Sequence, residues 1–199
     1  MPSHPLIPDL STDRLLLRGV TEADVEAYER HFIDYEVVRH LAAAVPWPYP
    51  AGGVRAFIRD QVIPTQGRDR WVWGLHRKDA GGLIGAIDLW REGRPENRGF
   101  WLGRDFWGRG YMTEAVIRVT DFAFQDLGFD QLIFTNAVGN RRSHDIKART
   151  GATLVGVAPA SFVDPAYDEH EIWRLTREDW AHWRGRAGQH SSGQSETEA

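Results

Sequence analysis

The chain has 199 residues, 42% hydrophobic and 26% charged, which suits one globular domain with a core of its own. A net charge of -4 supplies no general field for nucleic acid or an anionic membrane, and the absence of cysteine removes disulfides, thiolate zinc sites and a cysteine nucleophile. The stretch MPSHPLIPDL lacks the basic start and apolar core of a signal peptide, and no run nears the roughly 18 apolar residues of a membrane span, so the expectation is a soluble cytoplasmic protein.

In chain order, DRLLLRGV (Asp13–Val20) reads as an opening strand, and TEADVEAYERHF (Thr21–Phe32) as a helix with a threonine cap and early acids. VPWPYPAGG (Val45–Gly53) is a loop, because its three prolines fix backbone angles and remove donors. VRAFIRDQVI reads as a second helix, followed by strand-like RWVWGLHR, LIGAIDLWRE and NRGFWLGR, the last two joined through a turn at GRPE. After Tyr111 a helical period puts Met112, Ala115, Val116, Val119, Phe122 and Ala123 on one stripe and Glu114, Arg118, Asp121 and Gln125 opposite, with Gly128 as the stop. QLIFTNAV reads as a buried strand, and NRRSHDIKARTGA as a short helix capped by Asn140 and ended by Gly151. ATLVGVA and YDEHEIWRL complete the strands. GRAGQHSSGQSETEA, from Gly185, holds no aromatic residue and no aliphatic beyond alanine, so a domain over 1–184 and a disordered tail over 185–199 are expected.

The stretch RDFWGRGYMTEA sets two glycines around Arg109 between a strand and a helix. A helix's first turn carries partnerless N–H groups and the positive end of the macrodipole, and glycines let a phosphate approach that backbone closely. A dinucleotide fingerprint would need a third glycine at Thr113 and a P-loop a Gly-Lys-Ser/Thr run; both are missing. A plain tight turn is the other reading of the glycine pair.

The order of these elements resembles the GNAT superfamily of acetyl-CoA-dependent N-acetyltransferases, in particular its ribosomal-protein N-acetyltransferase-like branch. The likeness runs from about Thr12 to Arg174 through TDRLLLRGVTEADVEAY, GFWLGRDFWGRGYMTEA and NAVGNRRSHDIKARTGATLVG. It implies an α/β (α+β) fold with a mixed, mostly antiparallel central sheet, two helices on one face and the cofactor helix on the other, and a splayed strand at the cofactor site. It also implies acetyl-CoA as cosubstrate and a primary amine as acceptor, at a protein N-terminus or on a small molecule, and it brings a homodimer into view. Asp105 departs from the Gln/Arg that opens the family's loop.

By that resemblance Leu102 and Arg104 contact the pantetheine, and Gly108, Arg109, Gly110, Tyr111, Met112 and Thr113 cradle the pyrophosphate. Asn140 reaches the pantetheine arm, besides capping its helix, and Ser143 lies near the sulfur as a proton donor. The chemistry needs a neutral amine, a fixed donor for the oxyanion such as the N–H near Leu102, and no covalent enzyme intermediate. The base is Glu96, which shares a strand face with Phe100 and Leu102, or Asp88, or a water chain. Trp47 and Tyr49 in the proline loop, and Tyr167 in DPAYD, are candidate acceptor contacts; the strand tryptophans read as packing. The eight histidines show no metal-ligand spacing, so no metal is expected. The competing reading is a non-catalytic acyl-CoA-binding sensor or scaffold, and more remotely an aromatic-rich domain with no coenzyme.

Overall fold

A computed structural model describes residues 7–92 and 94–192. The expected opening strand is a hairpin, β1 (Leu10–Ser11) against β2 (Leu15–Gly19). The Thr21 hydroxyl and N–H both bond the Asp24 carboxylate, which begins the next helix with a 3-10 turn (Glu22–Asp24) before α1 (Val25–Phe32). After α2 (Tyr35–Val38) and the proline loop, VRAFIRDQVI does not run as one α-helix. It forms α3 (Gly53–Phe57), a π-helical turn (Ile58–Val62) and a 3-10 turn (Ile63–Thr65), since Pro64 has no N–H to return to the preceding turn.

Strands β3 (Arg70–Arg77), β4 (Leu83–Trp90) and β5 (Arg98–Leu102) extend the hairpin into a five-stranded antiparallel sheet in sequence order. Helix α4 (Tyr111–Gln125) leads to β6 (Gln131–Ala137), α5 (Arg141–Arg149), β7 (Thr153–Pro159), β8 (Glu169–Thr176) and α6 (Arg177–Ser192). The last three strands make a separate antiparallel sheet, ordered β6-β8-β7. The single mixed sheet of expectation is thus two antiparallel ladders. They meet at one clasp, where the Asn97 N–H donates to the Ile133 carbonyl and the Ile133 N–H to Asn97 Oδ1, both at 2.7 Å. Past the clasp β5 and β6 share no ladder, which is the expected splay.

Strand alternation builds a core on each face. Trp71, Trp73 and Leu75 pack with Ala115, Val116 and Val119 of α4, whereas Val72 and Ala86 pack with Val25, Val54 and Ile58 beneath α1 and α3. Helices therefore cover both faces as expected, and Trp71, Trp73 and Trp101 are core residues.

Two expectations are corrected. Asp121, assigned to the outer face of α4, is buried because α6 lies over it: Trp180 Nε1 donates to Asp121 Oδ1 at 2.9 Å and Arg184 pairs with the same carboxylate at 3.3 Å. The tail does not begin at Gly185, because α6 stays helical to Ser192; residues 193–199 lie outside the described residues. Thr176 and Asp179 cap this helix reciprocally, and Trp183 stacks on Trp180 at 4.7 Å while donating to the Arg149 carbonyl. A helix nucleated and docked this way propagates through residues that carry no packing signal. Trp180→Ala should lower the unfolding free energy by about 3–5 kcal/mol in urea titrations, with loss of a buried indole and of the indole hydrogen bond to Asp121.

Candidate active site

The glycine loop is an amide cradle. Gly108 and Gly110 have φ of +72° and +79°, which other residues adopt only with strain, and Gly110 is the N-cap of α4. The Trp107 N–H is taken by the Arg104 carbonyl and the Glu114 N–H by the Gly110 carbonyl, but the six amides of residues 108 to 113 have no acceptor among the described residues. At the front of a 15-residue helix they make a site for an anion of phosphate size. A Cβ at Gly108 would meet no atom within 4 Å, so space beside the backbone is open.

The cradle is held from behind by residues at the start of the chain. Arg14 donates to the Arg109 carbonyl at 2.9 Å, pairs with Glu114 at 2.7 Å, and lies 4.6 Å from the Tyr111 ring centroid. Thr12 Oγ1 also bonds Glu114, whose carboxyl these partners hold below its ordinary pKa against the opposing effect of burial.

From the cradle a cleft of about 680 Å³ runs along β5. Asn97 O accepts from Trp90 N and the Gly103 N–H donates to Ile84 O, so odd-numbered β5 residues face β4. The peptide groups of Phe100 and Leu102 consequently face the gap. The Leu102 carbonyl there takes the Trp107 indole N–H at 2.7 Å, and the remaining groups are open to an added extended ligand. On the far wall Asn140 Oδ1 accepts the Ser143 N–H at 3.3 Å, the expected cap. Ser143 is buried, and its Oγ accepts from Lys147 Nζ at 2.6 Å, leaving the hydroxyl proton free to point into the cleft.

Lys147 and Arg98 are findings beyond the sequence reading. Burial holds the Lys147 amine well below its usual pKa and pushes Arg98 down to about 9. Both spacings were legible, since Lys147 is one turn after Ser143 and Arg98 is two residues before Phe100. Their burial was not.

Both candidate bases line the cleft. Asp88 pairs with Arg70 at 2.6 Å near Tyr28, and burial raises its pKa despite that arginine. Glu96 pairs with Arg94 at 2.8 Å. Leu102, Gly108, Gly110, Tyr111, Met112, Thr113, Asn140 and Ser143 line the cleft as well.

Other candidates lie elsewhere. Arg104 falls past the strand, in an exposed 3-10 turn (Arg104–Phe106), and the exposed Arg109 gives the site its backbone only; neither is a cleft-lining residue. Trp47 is exposed, Tyr49 packs edge-on against Phe32, and Tyr167 sits against His40 and Arg39, all outside the cleft lining. The wall expected of these rings is formed instead by Phe32, His40, Trp90 and Phe162. The proline loop turns its aromatic residues onto α1 and α2, where Tyr35 meets Trp47. No group of three or more His, Asp or Glu side chains among the described residues could hold a metal ion.

Residues 14–153 match the acetyltransferase (GNAT) domain family. The chain is 31% identical to FsC-acetyl coenzyme A-N(2)-transacetylase of Aspergillus fumigatus, over 87% of this chain and 78% of that protein. It is 27% identical to the [ribosomal protein uS5]-alanine N-acetyltransferase of Escherichia coli, over 86% of this chain and 92% of that one. In fold it is similar to a ribosomal L7/L12 alpha-N-protein acetyltransferase solved in complex with coenzyme A, with a TM-score of 0.72 at 15% identity over 85% of this chain and 98% of the other. A splayed strand beside an amide cradle thus sits in a chain that belongs to the GNAT acetyltransferase family. It is an acetyl-CoA-dependent N-acetyltransferase.

Gly110→Val should weaken coenzyme A binding at least about tenfold by calorimetry, because it strains the cradle and a Cβ there would lie 3.3 Å from Arg14 Nη2.

Proposed function

We propose that the enzyme acetylates the amino terminus of a protein in the cytoplasm, with Asp88 as proton acceptor and Ser143 as proton donor. The observation that carries this reading is the single cleft that joins the open amides of residues 108–113 to Ser143 on one wall and the Asp88 carboxylate on the other. The named activity of the uS5-alanine relative supports a protein acceptor. No described helix is long and apolar enough to cross a membrane.

The chain's residues divide the work. The amides at 108–113 bind the diphosphate, and the open peptide groups of Phe100 and Leu102 align the pantetheine as an added strand would be aligned. The Leu102 N–H, pre-aimed into the gap, stabilises charge developing on the carbonyl oxygen. An N-terminal amine, of pKa roughly 8, attacks only when neutral. Asp88 accepts its proton, directly or through water, and its raised pKa makes it a better acceptor than a solvated carboxylate. Arg70 orients it. We prefer Asp88 to Glu96 because burial tunes Asp88 toward this task. Ser143 donates to the departing sulfur, with Lys147 behind it to restore the proton. Transfer is direct and needs no nucleophile from the protein, and holding both reactants in one cleft supplies much of the acceleration.

Thiol release from acetyl-CoA should be fastest with peptides bearing a free N-terminus, slower with N-blocked lysine peptides and small amines; equal or faster release with small amines alone overturns the acceptor assignment. Asp88 must be ionised to act, so the rate should fall as pH drops through a value above the ordinary carboxylate range. Asp88→Asn should flatten that limb and lower kcat/KM about 10²- to 10⁴-fold, with coenzyme binding unchanged.

A further inference from the structure

The cleft carries an apolar wall that the transfer chemistry leaves unused. Phe162, in the connection between β7 and β8, is half-buried and packs into neither core; its ring neighbour among the described residues is Tyr167, at 6.4 Å. A ring on a loose connection would have no fixed place, but this connection is zipped to the chain that follows α2. The Val163 N–H donates to the Leu41 carbonyl and the Ala43 N–H to the Ser161 carbonyl, both at 2.9 Å, and Arg39 pairs with Asp164 at 2.7 Å. Ala42 and Phe162 are thus opposed as a non-hydrogen-bonded antiparallel pair, so their side chains share one face, and both line the cleft. The small Ala42 leaves room beside the ring. Leu41, Val45 and Phe57 line the cleft as well; they rest on the α1 core and are half-buried, with the remainder of their surface uncovered.

Position and charge say what this wall receives. Asp88 lies opposite Val72 and two residues after Ala86, both in the α1 core, so it projects toward α1, away from the coenzyme side. Arg70, bonded to Asp88 at 2.6 Å, lies 5.6 Å from the Phe57 ring centroid, which brings the wall within one side chain of the proton acceptor. The first side chain of an N-terminal acceptor grows from the carbon that bears the amine, so it must lie in this neighbourhood. Of the acids that line the cleft, Asp88 is matched by Arg70, Glu36 by Arg39 and Glu96 by Arg94, and Asp145 belongs to α5 on the far wall. Burial lowers the pKa of His40, which is neutral at pH 7, and Arg142 sits 3.8 Å from the Trp107 ring centroid, toward the cradle. A charged side chain would therefore lose water here without gaining a partner, whereas an apolar one would cover surface that is half open. Resting on the N-terminal acceptor reading above, we infer that the enzyme selects acceptors whose first residue has a large uncharged apolar side chain, of leucine to phenylalanine size, with Phe162 as a specificity-determining residue. Alanine or serine at that position leaves the wall uncovered.

The test uses the full-length wild-type enzyme, acetyl-CoA and peptides that differ only in their first residue (Phe, Leu, Ala, Ser, Lys or Glu), with kcat/KM read from thiol release. Phe or Leu should exceed Ala and Ser by about tenfold or more, and Lys and Glu should not exceed Ala. Phe162→Ala should bring the Phe-to-Ala ratio most of the way to one, through a raised KM for the Phe peptide, while the KM for acetyl-CoA is unaltered. Phe162→Leu should keep most of the ratio. Equal or faster turnover of Ala, Ser or charged first residues overturns this inference and leaves the N-terminal reading standing. The same gain from a Phe in the second position behind Ala also overturns it, because the wall would then read the next residue. A ratio that survives Phe162→Ala overturns the assignment to this wall. Turnover of small amines with no peptide acetylated overturns the N-terminal reading and this inference with it. If Phe162→Ala fails to fold, the wild-type panel and Phe162→Leu decide.

Discussion

The structure depends on two neighbouring strands that part. β5 and β6 are clasped at Asn97 and Ile133 and share no ladder beyond. Buried peptide groups without partners are costly, so an internal gap of this kind persists only where something replaces the missing strand. Extended chains bearing amides, such as pantetheine, are the right shape and chemistry to do so. The same gap brings α5 near β5 and admits Ser143 and Lys147 to one wall.

The second element is the fixed position of the α4 N-terminus relative to that gap. Arg14 and Thr12 both bond Glu114, and Arg14 also holds the Arg109 carbonyl, so the glycine loop is tied to the edge of the first sheet. A loop that must adopt positive φ twice and leave six amides open has little internal reason to stay in one conformation. Its order comes from a charged network provided by β2 and its flank, well away in sequence.

Charge is distributed unequally across the cleft. Asp88, on the α1 face, is paired with Arg70, and Glu96, just before β5, is paired with Arg94. On the α4 and α5 face two cations, Arg98 and Lys147, are buried with no acid bonded to them among the described residues. Burial acts in opposite senses on these groups. It raises the Asp88 carboxyl and lowers the Arg98 and Lys147 cations, each moving toward the uncharged form that a dry site favours.

Local pattern was enough for most of the elements and for the glycine turn before α4. Strand-like runs bounded by turn residues identified β3 to β5, the 3.6-residue period identified α4, and a Gly-x-Gly before it was a positional statement about backbone, independent of distant residues. Asn140 and Ser143 were legible for the same reason, a cap and its first turn being neighbours in sequence. The misplaced residues are those whose surroundings are assembled from afar. Trp47 and Tyr49 found partners on α2 and α1 and Tyr167 found His40 and Arg39 just after α2, Asp121 was covered by a helix that begins 56 residues later at Arg177, and Gly185 continued a helix that two tryptophans had already docked. The chain by itself determined which backbone could bind an anion and which residues could share a face, because those follow from φ, ψ and periodicity. Only the tertiary structure decided that Arg98 and Lys147 are desolvated on the same wall, because burial is set by everything that packs around a residue and not by its neighbours in sequence.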